Sequence, residues 1–230
     1  MPIFADNLVI YKAVFGNYDR VVPMNTPGIR KILFTNKPCK IIGWETKIVA
    51  CDDPFLMNRK LKMYPWDFVD TRYSIYLDGR VDLKASFLNY LNEIDLHDRL
   101  IVPVHRERGR VLDELIRCID HRKIDKQQLK LALRQAKCEE PAVECGLIIR
   151  DHNSSAVRDH SDRWMKRFLD VGRDQLAFHD DEMRDFLTVL DFDLSTNDFF
   201  TLRNHRLARV KQIINRARYA ARIMLKGRAL

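Results

Sequence analysis

YSIYLDGRV, Tyr73–Val81, decides the architecture. Five residues rich in tyrosine and isoleucine favour extended backbone, and they end abruptly in a polar turn, Asp78-Gly79-Arg80. A buried strand that delivers polar groups at its carboxyl end is where open α/β sheets hold ligands. Glycine at 79 lets a ligand come close to the backbone. A carboxylate at 78 suits a divalent cation that shares its oxygen ligands with a diphosphate. The same Asp would also cap a strand-ending turn, so the tripeptide alone leaves both readings open.

Outward from this turn, strands and helices alternate. Leu8–Phe15, Lys31–Thr35 and Trp44–Ala50 read as strands, and Asp53–Tyr64 reads as a helix with Asp52 or Asp53 as cap and Pro54 in its first turn. Downstream the pattern predicts a helix over Lys84–Ile94, a strand over Leu100–Val104 and helices over Val111–Asp120 and Lys126–Lys137. A strand over Val143–Ile149 and a helix over Ser161–Asp170 follow. Such alternation implies an α/β fold with a mainly parallel sheet covered by helices on both faces.

Composition bounds the function. The 230 residues are 46% hydrophobic and 10% aromatic, enough to bury a core and too apolar for a disordered or fibrous chain. Lys and Arg number 40 against 32 Asp and Glu, a net +8. Nine of the bases and none of the acids lie between Phe199 and Leu230, which leaves 31 bases against all 32 acids in residues 1–198. The chain therefore reads as a near-neutral domain over 1–198 and a basic amphipathic C-terminal helix over 199–230. Leu207, Val210, Ile214, Ala217, Ala221 and Met224 keep helical steps of three and four. That helix either packs on the domain or lies on anionic lipid, and one helix can do both. Nucleic acid is disfavoured as a partner, because the body is neutral and lacks an aromatic and basic RNA motif or a zinc finger. Five scattered cysteines without a CxxC pair argue against disulfides and structural zinc. The N-terminus has no signal-peptide pattern, and no stretch approaches the ~20 apolar residues of a membrane span. The expected location is cytoplasmic, at most peripheral at the inner face of a membrane.

Further clusters carry chemistry. The first strand ends in Phe15-Gly16-Asn17-Tyr18-Asp19, where a glycine turn can seat a planar base against an aromatic ring. Arg59 and Lys62 are three apart, hence on one helical face, and are natural anion partners. Gly172-Arg173-Asp174-Gln175 forms a polar turn opening a helix, with Asp174 placed as a cap or as a base. Each has a plain structural alternative: a tight turn, a solvated helix face, a capping residue.

In order along the chain, VIYKAVFGNYD (Val9–Asp19), FTN (Phe34–Asn36), GWE (Gly43–Glu45), RKLKMYPW (Arg59–Trp66), YSIYLDGRV, VHRERGRVLDE (Val104–Glu114), CGLIIRDH (Cys145–His152) and DRWMKRFLDVGRDQLAF (Asp162–Phe178) make up an ordered set. Together they resemble the glycosyltransferase-like family known from plant seed-mucilage and turgor-regulation proteins, which has many bacterial members. The likeness covers roughly residues 8–180. It implies a GT-A type fold, a nucleotide-sugar donor, UDP-linked, and transfer of the sugar to a hydroxyl of a glycan or lipid-linked acceptor. It places the Asp-x-Asp metal motif of related enzymes at Asp78-Gly79-Arg80, where Arg80 replaces the second acid. Asp82, two residues on, points to the same side by period two. Either Asp78 binds Mn²⁺ or Mg²⁺ together with Asp82 or His152, or Arg80 supplies positive charge to the diphosphate; the resemblance favours the metal. It further implies that Phe15, Gly16, Tyr18, Asp19, Arg59, Lys62, Asp78, Gly79 and Arg80 bind the nucleotide sugar. Asp174 would be the base if the reaction inverts configuration and would otherwise orient a substrate. His105 would contact acceptor or phosphate, and Arg106, Glu114, Arg150, Trp164, Arg173 and Gln175 would orient the acceptor. The competing reading is a non-catalytic nucleotide- or glycan-binding relative whose basic helix serves a membrane or a partner.

Overall fold

LVIYKA, Leu8–Ala13, is buried at all six positions, as befits a parallel strand with helices on both sides. The computed structural model describes residues 5–16, 18–105 and 109–203. In chain order its strands are β1 (Leu8–Ala13), β2 (Arg30–Thr35), β3 (Glu45–Ile48), β4 (Tyr73–Leu77), β5 (Val81–Leu83), β6 (Leu100–Pro103), β7 (Leu147–Asp151), β8 (Leu187–Leu190) and β9 (Phe200–Leu202). Its helices are α1 (Pro54–Met63), α2 (Ala85–Leu91), α3 (Val111–Asp120), α4 (Lys126–Gln135), α5 (Ser155–Val171) and the short α6 (Asp174–Ala177).

Seven strands form one sheet in the order β3-β2-β1-β4-β7-β6-β8. All neighbours are parallel except β7, which runs antiparallel to both β4 and β6. This is the mostly parallel α/β class expected from the sequence, with one strand reversed. The period of two along each strand divides the core. Val9, Tyr11 and Ala13 pack with Leu61, Met63, Trp164 and Phe168 of α1 and α5. Leu8 and Ile10 face the other way, toward Phe87, Leu91 and Phe200 of α2 and β9.

Most elements end within a few residues of the sequence reading, and three segments differ more. The strand expected over Val143–Ile149 starts four residues later and ends two later: Val143 makes only an isolated bridge to Val104, and Cys145-Gly146 is a turn. The helix expected over Ser161–Asp170 starts at Ser155, capped by the Ser154 side chain. Its polar first turns hid it, yet Val157, His160, Ser161, Trp164, Met165, Phe168 and Val171 fall on one buried stripe. The segment after Asp198 opens with strand β9, which pairs antiparallel with β5, so no helix begins at 199. From residue 204 on, the expected basic helix lies outside the described residues.

The β5–β9 pair is fastened by buried charge. Lys12, at an otherwise apolar position of β1, is fully buried, with its Nζ 2.7 Å from Asp82 Oδ1 and 3.4 Å from the Gly79 carbonyl. Arg203 reaches the same carboxylate from beyond β9, with Nε 2.6 Å from Oδ2, and donates to the carbonyls of Gly79 and Arg20. Removing one partner of a buried pair strands the other charge. Asp82→Asn is therefore expected to cost about 3–5 kcal/mol of stability, read as a lowered urea midpoint. An unchanged midpoint would show that the pair does not hold the turn.

Candidate functional site

A cleft of about 740 Å³ opens where β1 and β4 end and β7 begins. Its lining includes every residue assigned above to the nucleotide sugar, together with His105, Arg173, Asp174 and Gln175. The sheet explains this gathering: Phe15 and Gly16 follow β1, Asp78 follows β4 and His105 follows β6, all at carboxyl ends of parallel strands.

Helix α1 supplies two cations. Asp53 caps it by accepting from the backbone N–H groups of Phe55 and Leu56, and Pro54 occupies the first turn. Asn58 ties the helix to the end of β1 by donating to the Ala13 carbonyl at 2.7 Å. Arg59 lies over the rings of Phe55 and Phe168, at 4.8 and 5.7 Å, and Lys62 over Tyr76 at 5.2 Å. Both are thereby held facing the cleft.

Opposite α1, helix α5 ends at Gly172 with φ of 75°, a left-handed turn that suits glycine and that redirects the chain into Arg173-Asp174. Arg173, not Asp174, takes the cap position of α6, so the carboxylate is free of capping duty. Lys62 Nζ sits 2.6 Å from Asp174 Oδ2 and Arg59 Nε 3.7 Å from the same oxygen. Burial alone would raise the pKa of Asp174, but Arg59, Lys62 and Arg173 outweigh it and hold the carboxyl well below the usual range. Trp164, fully buried, donates from Nε1 to the Asp174 carbonyl at 2.8 Å. Trp164 is thus core, and its expected contact with an acceptor is corrected to a support for Asp174.

The turn after β4 is packed as tightly. Tyr76 donates to Asp78 Oδ1 at 2.7 Å, and burial followed by the Asp78 charge raises the phenol pKa well above normal. A side-chain carbon on Gly79 would lie 2.7 Å from Asp19 and 3.0 Å from Val14. Glycine there admits the 14–19 loop, where the sequence had suggested a ligand. Gly16 in that loop is fixed by its N–H donating to Asn36 Oδ1 at 3.0 Å. Arg80 Nη2 lies 3.8 Å from Glu144, whose other oxygen is 3.6 Å from His105 Nε2.

Several expected site residues lie elsewhere. Because β7 is antiparallel, Tyr73 at the start of β4 pairs with Asp151, so Arg150 and His152 emerge at the end of the sheet opposite Asp78. Arg150 is buried there and donates to the carbonyls of Lys62 and Met63, closing the carboxyl end of α1. His152 Nε2 is 2.8 Å from Ser74 Oγ, its ring meets Trp66 edge-on, and burial, with Arg150 adding to it, pushes its pKa down to about 3. Asp82 is held by Lys12 and Arg203. Glu114 is buried behind the cleft and accepts from Arg173 and Cys118. Arg106 lies outside the described residues. Tyr76, Asn58 and Glu144 joined the site without being anticipated; only Tyr76, two residues before Asp78 on one strand, had a signal in the sequence.

A metal held by Asp78 with Asp82 or His152 does not fit these positions, because the Asp82 carboxylate is engaged by Lys12 and Arg203 and His152 stands at the opposite end of the sheet. Among the described residues, one group brings three possible ligands together, His97, Asp98 and Asp151, at the opposite end of the sheet. There Asp151 already accepts from Arg72 and from the Asp98 and Asn153 backbone.

No protein-family model and no curated protein matches the chain. Among solved structures, the apo-form glycosyltransferase GlyE of Streptococcus pneumoniae TIGR4 aligns at 11% identity with a TM-score of 0.48. The alignment covers 80% of this chain and 45% of that one, so the chain spans less than half of that structure's length. No described helix is long and apolar enough to cross a membrane.

The Asp174 cluster has a pH signature. Its carboxyl titrates lower in the folded than in the unfolded chain, so its stabilisation is complete above the unfolded value of about 4 and fades only as pH falls below it. Asp174→Asn is expected to lose about 3–5 kcal/mol at neutral pH, with the deficit constant down to about pH 5 and shrinking in more acid solution. Urea melts of both proteins across pH 2–8 check this; a deficit that grows in acid would contradict it.

Proposed function

We propose that the chain binds a nucleotide-diphosphate sugar in this cleft and transfers the sugar to a hydroxyl acceptor. The observation that carries this is the convergence of Arg59, Lys62, Arg80 and Arg173 on the carboxyl-end cleft beside Asp78. Breaking a glycosyl–phosphate bond leaves charge on the departing diphosphate, and fixed cations aimed at that charge lower the barrier. Phe15, Gly16 and Tyr18 on the β1 loop offer the ring and turn for the nucleobase, a uracil in this reading.

Deprotonation of the acceptor falls to a different residue from the one expected. A carboxylate held ionised by three cations is a poor proton acceptor, so Asp174 organises Arg59, Lys62 and Arg173 and does not act as base. His105, with Glu144 3.6 Å from its Nε2, is the imidazole on the cleft wall and the candidate proton acceptor. The divalent cation implied by the resemblance retains Asp78 alone of its expected ligands, and the reading is carried without it.

Residues 199–230 hold nine bases and no acid, and an anionic membrane surface bearing a lipid-linked acceptor is their proposed partner. Because β9 and Arg203 belong to the body, the informative truncation ends at Arg203, not at Asp198. Co-sedimentation with anionic vesicles is expected for the full chain and lost on that truncation; equal binding by both would remove the membrane proposal. For the site itself, UDP, GDP and CMP sugars are screened for a rise in melting temperature, with and without Mn²⁺. At least one is expected to stabilise the protein, and Arg59→Ala to abolish the rise. If no nucleotide stabilises it in either condition, the glycosyltransferase reading fails.

A further inference from the structure

We infer that the ligand diphosphate is held by fixed side-chain cations, Arg59, Lys62, Arg80 and Arg173, and needs no divalent metal; this rests on the nucleotide-sugar reading of the cleft. The argument starts from Asp78. Its carboxylate already accepts from Tyr76 at 2.7 Å and has the Lys62 ammonium 4.0 Å away, so a cation stands beside it. The second acid that a shared-ligand metal site would use is Arg80, and the next one along, Asp82, is engaged by Lys12 and Arg203. His152 is carried to the far end of the sheet by the reversed strand. Asp19 and Glu144 line the cleft with Asp78, but among the described residues these carboxylates do not converge on one point, and Lys62 and Arg80 stand beside Asp78 and Glu144 where a hard cation would want further oxygens.

Those cations are arranged for an anion. Three of them converge on the carboxylate of Asp174, Arg173 also meets Glu114 and Lys62 lies 4.0 Å from Asp78; over the cleft lining the cations Arg59, Lys62, Arg80, Lys123 and Arg173 outnumber the acids Asp19, Asp78, Glu144 and Asp174. Arg59 is clamped between Phe55 and Phe168 and Lys62 rests on Tyr76, so neither needs to reorganise when charge arrives. Arginine forks match phosphate oxygens in bidentate geometry, and Arg80 and Arg173 approach from the β4 turn and from α6. A diphosphate entering the cleft would thus meet side-chain charge from three separate elements.

Titration calorimetry with UDP and with inorganic pyrophosphate, in MnCl₂ and in EDTA, tests this on the full chain. Both probes are expected to bind with the same affinity in the two buffers. Arg80→Ala, a partly exposed residue whose loss spares the core, is expected to weaken both on the order of tenfold or more. Arg173→Gln serves as a second variant, with melting curves confirming that each protein is folded. Binding of UDP only when Mn²⁺ is present overturns the inference and leaves the nucleotide reading standing. Binding in EDTA that neither variant weakens overturns it as well. If UDP binds in neither buffer and GDP and CMP, titrated in its place, bind in neither as well, the nucleotide reading falls and the inference falls with it.

Discussion

One carboxylate organises the site. Asp174 draws Lys62 and Arg59 from α1 and Arg173 from its own turn to a common point, and the Trp164 indole pins its backbone from within the core. Together with Glu114 on Arg173 and Asp78 4.0 Å from Lys62, it offsets three like charges that would otherwise repel one another without regaining their lost hydration. With it, their positions are set before any ligand arrives. Helix α1 is in turn closed by Arg150 at its last carbonyls and tied to β1 by Asn58. The ion cluster and these bonds therefore connect β1, α1 and the end of α5 into one wall of the cleft.

A second set of charges fixes the facing turn. Lys12, Asp82 and Arg203 bind the β5–β9 pair to the centre of the sheet, and two of them also donate to the Gly79 carbonyl. The turn bearing Asp78 and Arg80 consequently depends on a residue more than a hundred positions later in the chain. Sites built this way owe their geometry to long-range ion pairs, and loop chemistry alone would not supply it.

The reversal of β7 sorts useful residues from structural ones. It brings Glu144 to the cleft and sends Arg150 and His152 away from it, although all three lie within the nine residues ECGLIIRDH, Glu144–His152. Strand direction is a property of the whole sheet, so no local pattern discloses it. The helix α5 was half hidden for a related reason: its first turns carry few apolar residues and are stabilised by packing of Val157 and His160 after the fold has formed.

The sequence by itself determined the alternation of strands and helices, the abrupt end of β4 at Asp78, the capped start of α1 and the pairing of Arg59 with Lys62 on one face. Those depend on periods of 2.0 and 3.6 residues and on cap chemistry, all of which are local. It also collected the residues that line the cleft, since parallel strands deliver their carboxyl ends to one edge. Only the tertiary structure decided their surroundings. Whether Asp174 takes a proton or holds cations, and whether Asp82 meets a metal or Lys12, depends on which charges lie within a few ångströms. That is set by strand order and direction, and elements far apart in the chain come together only when the sheet is assembled.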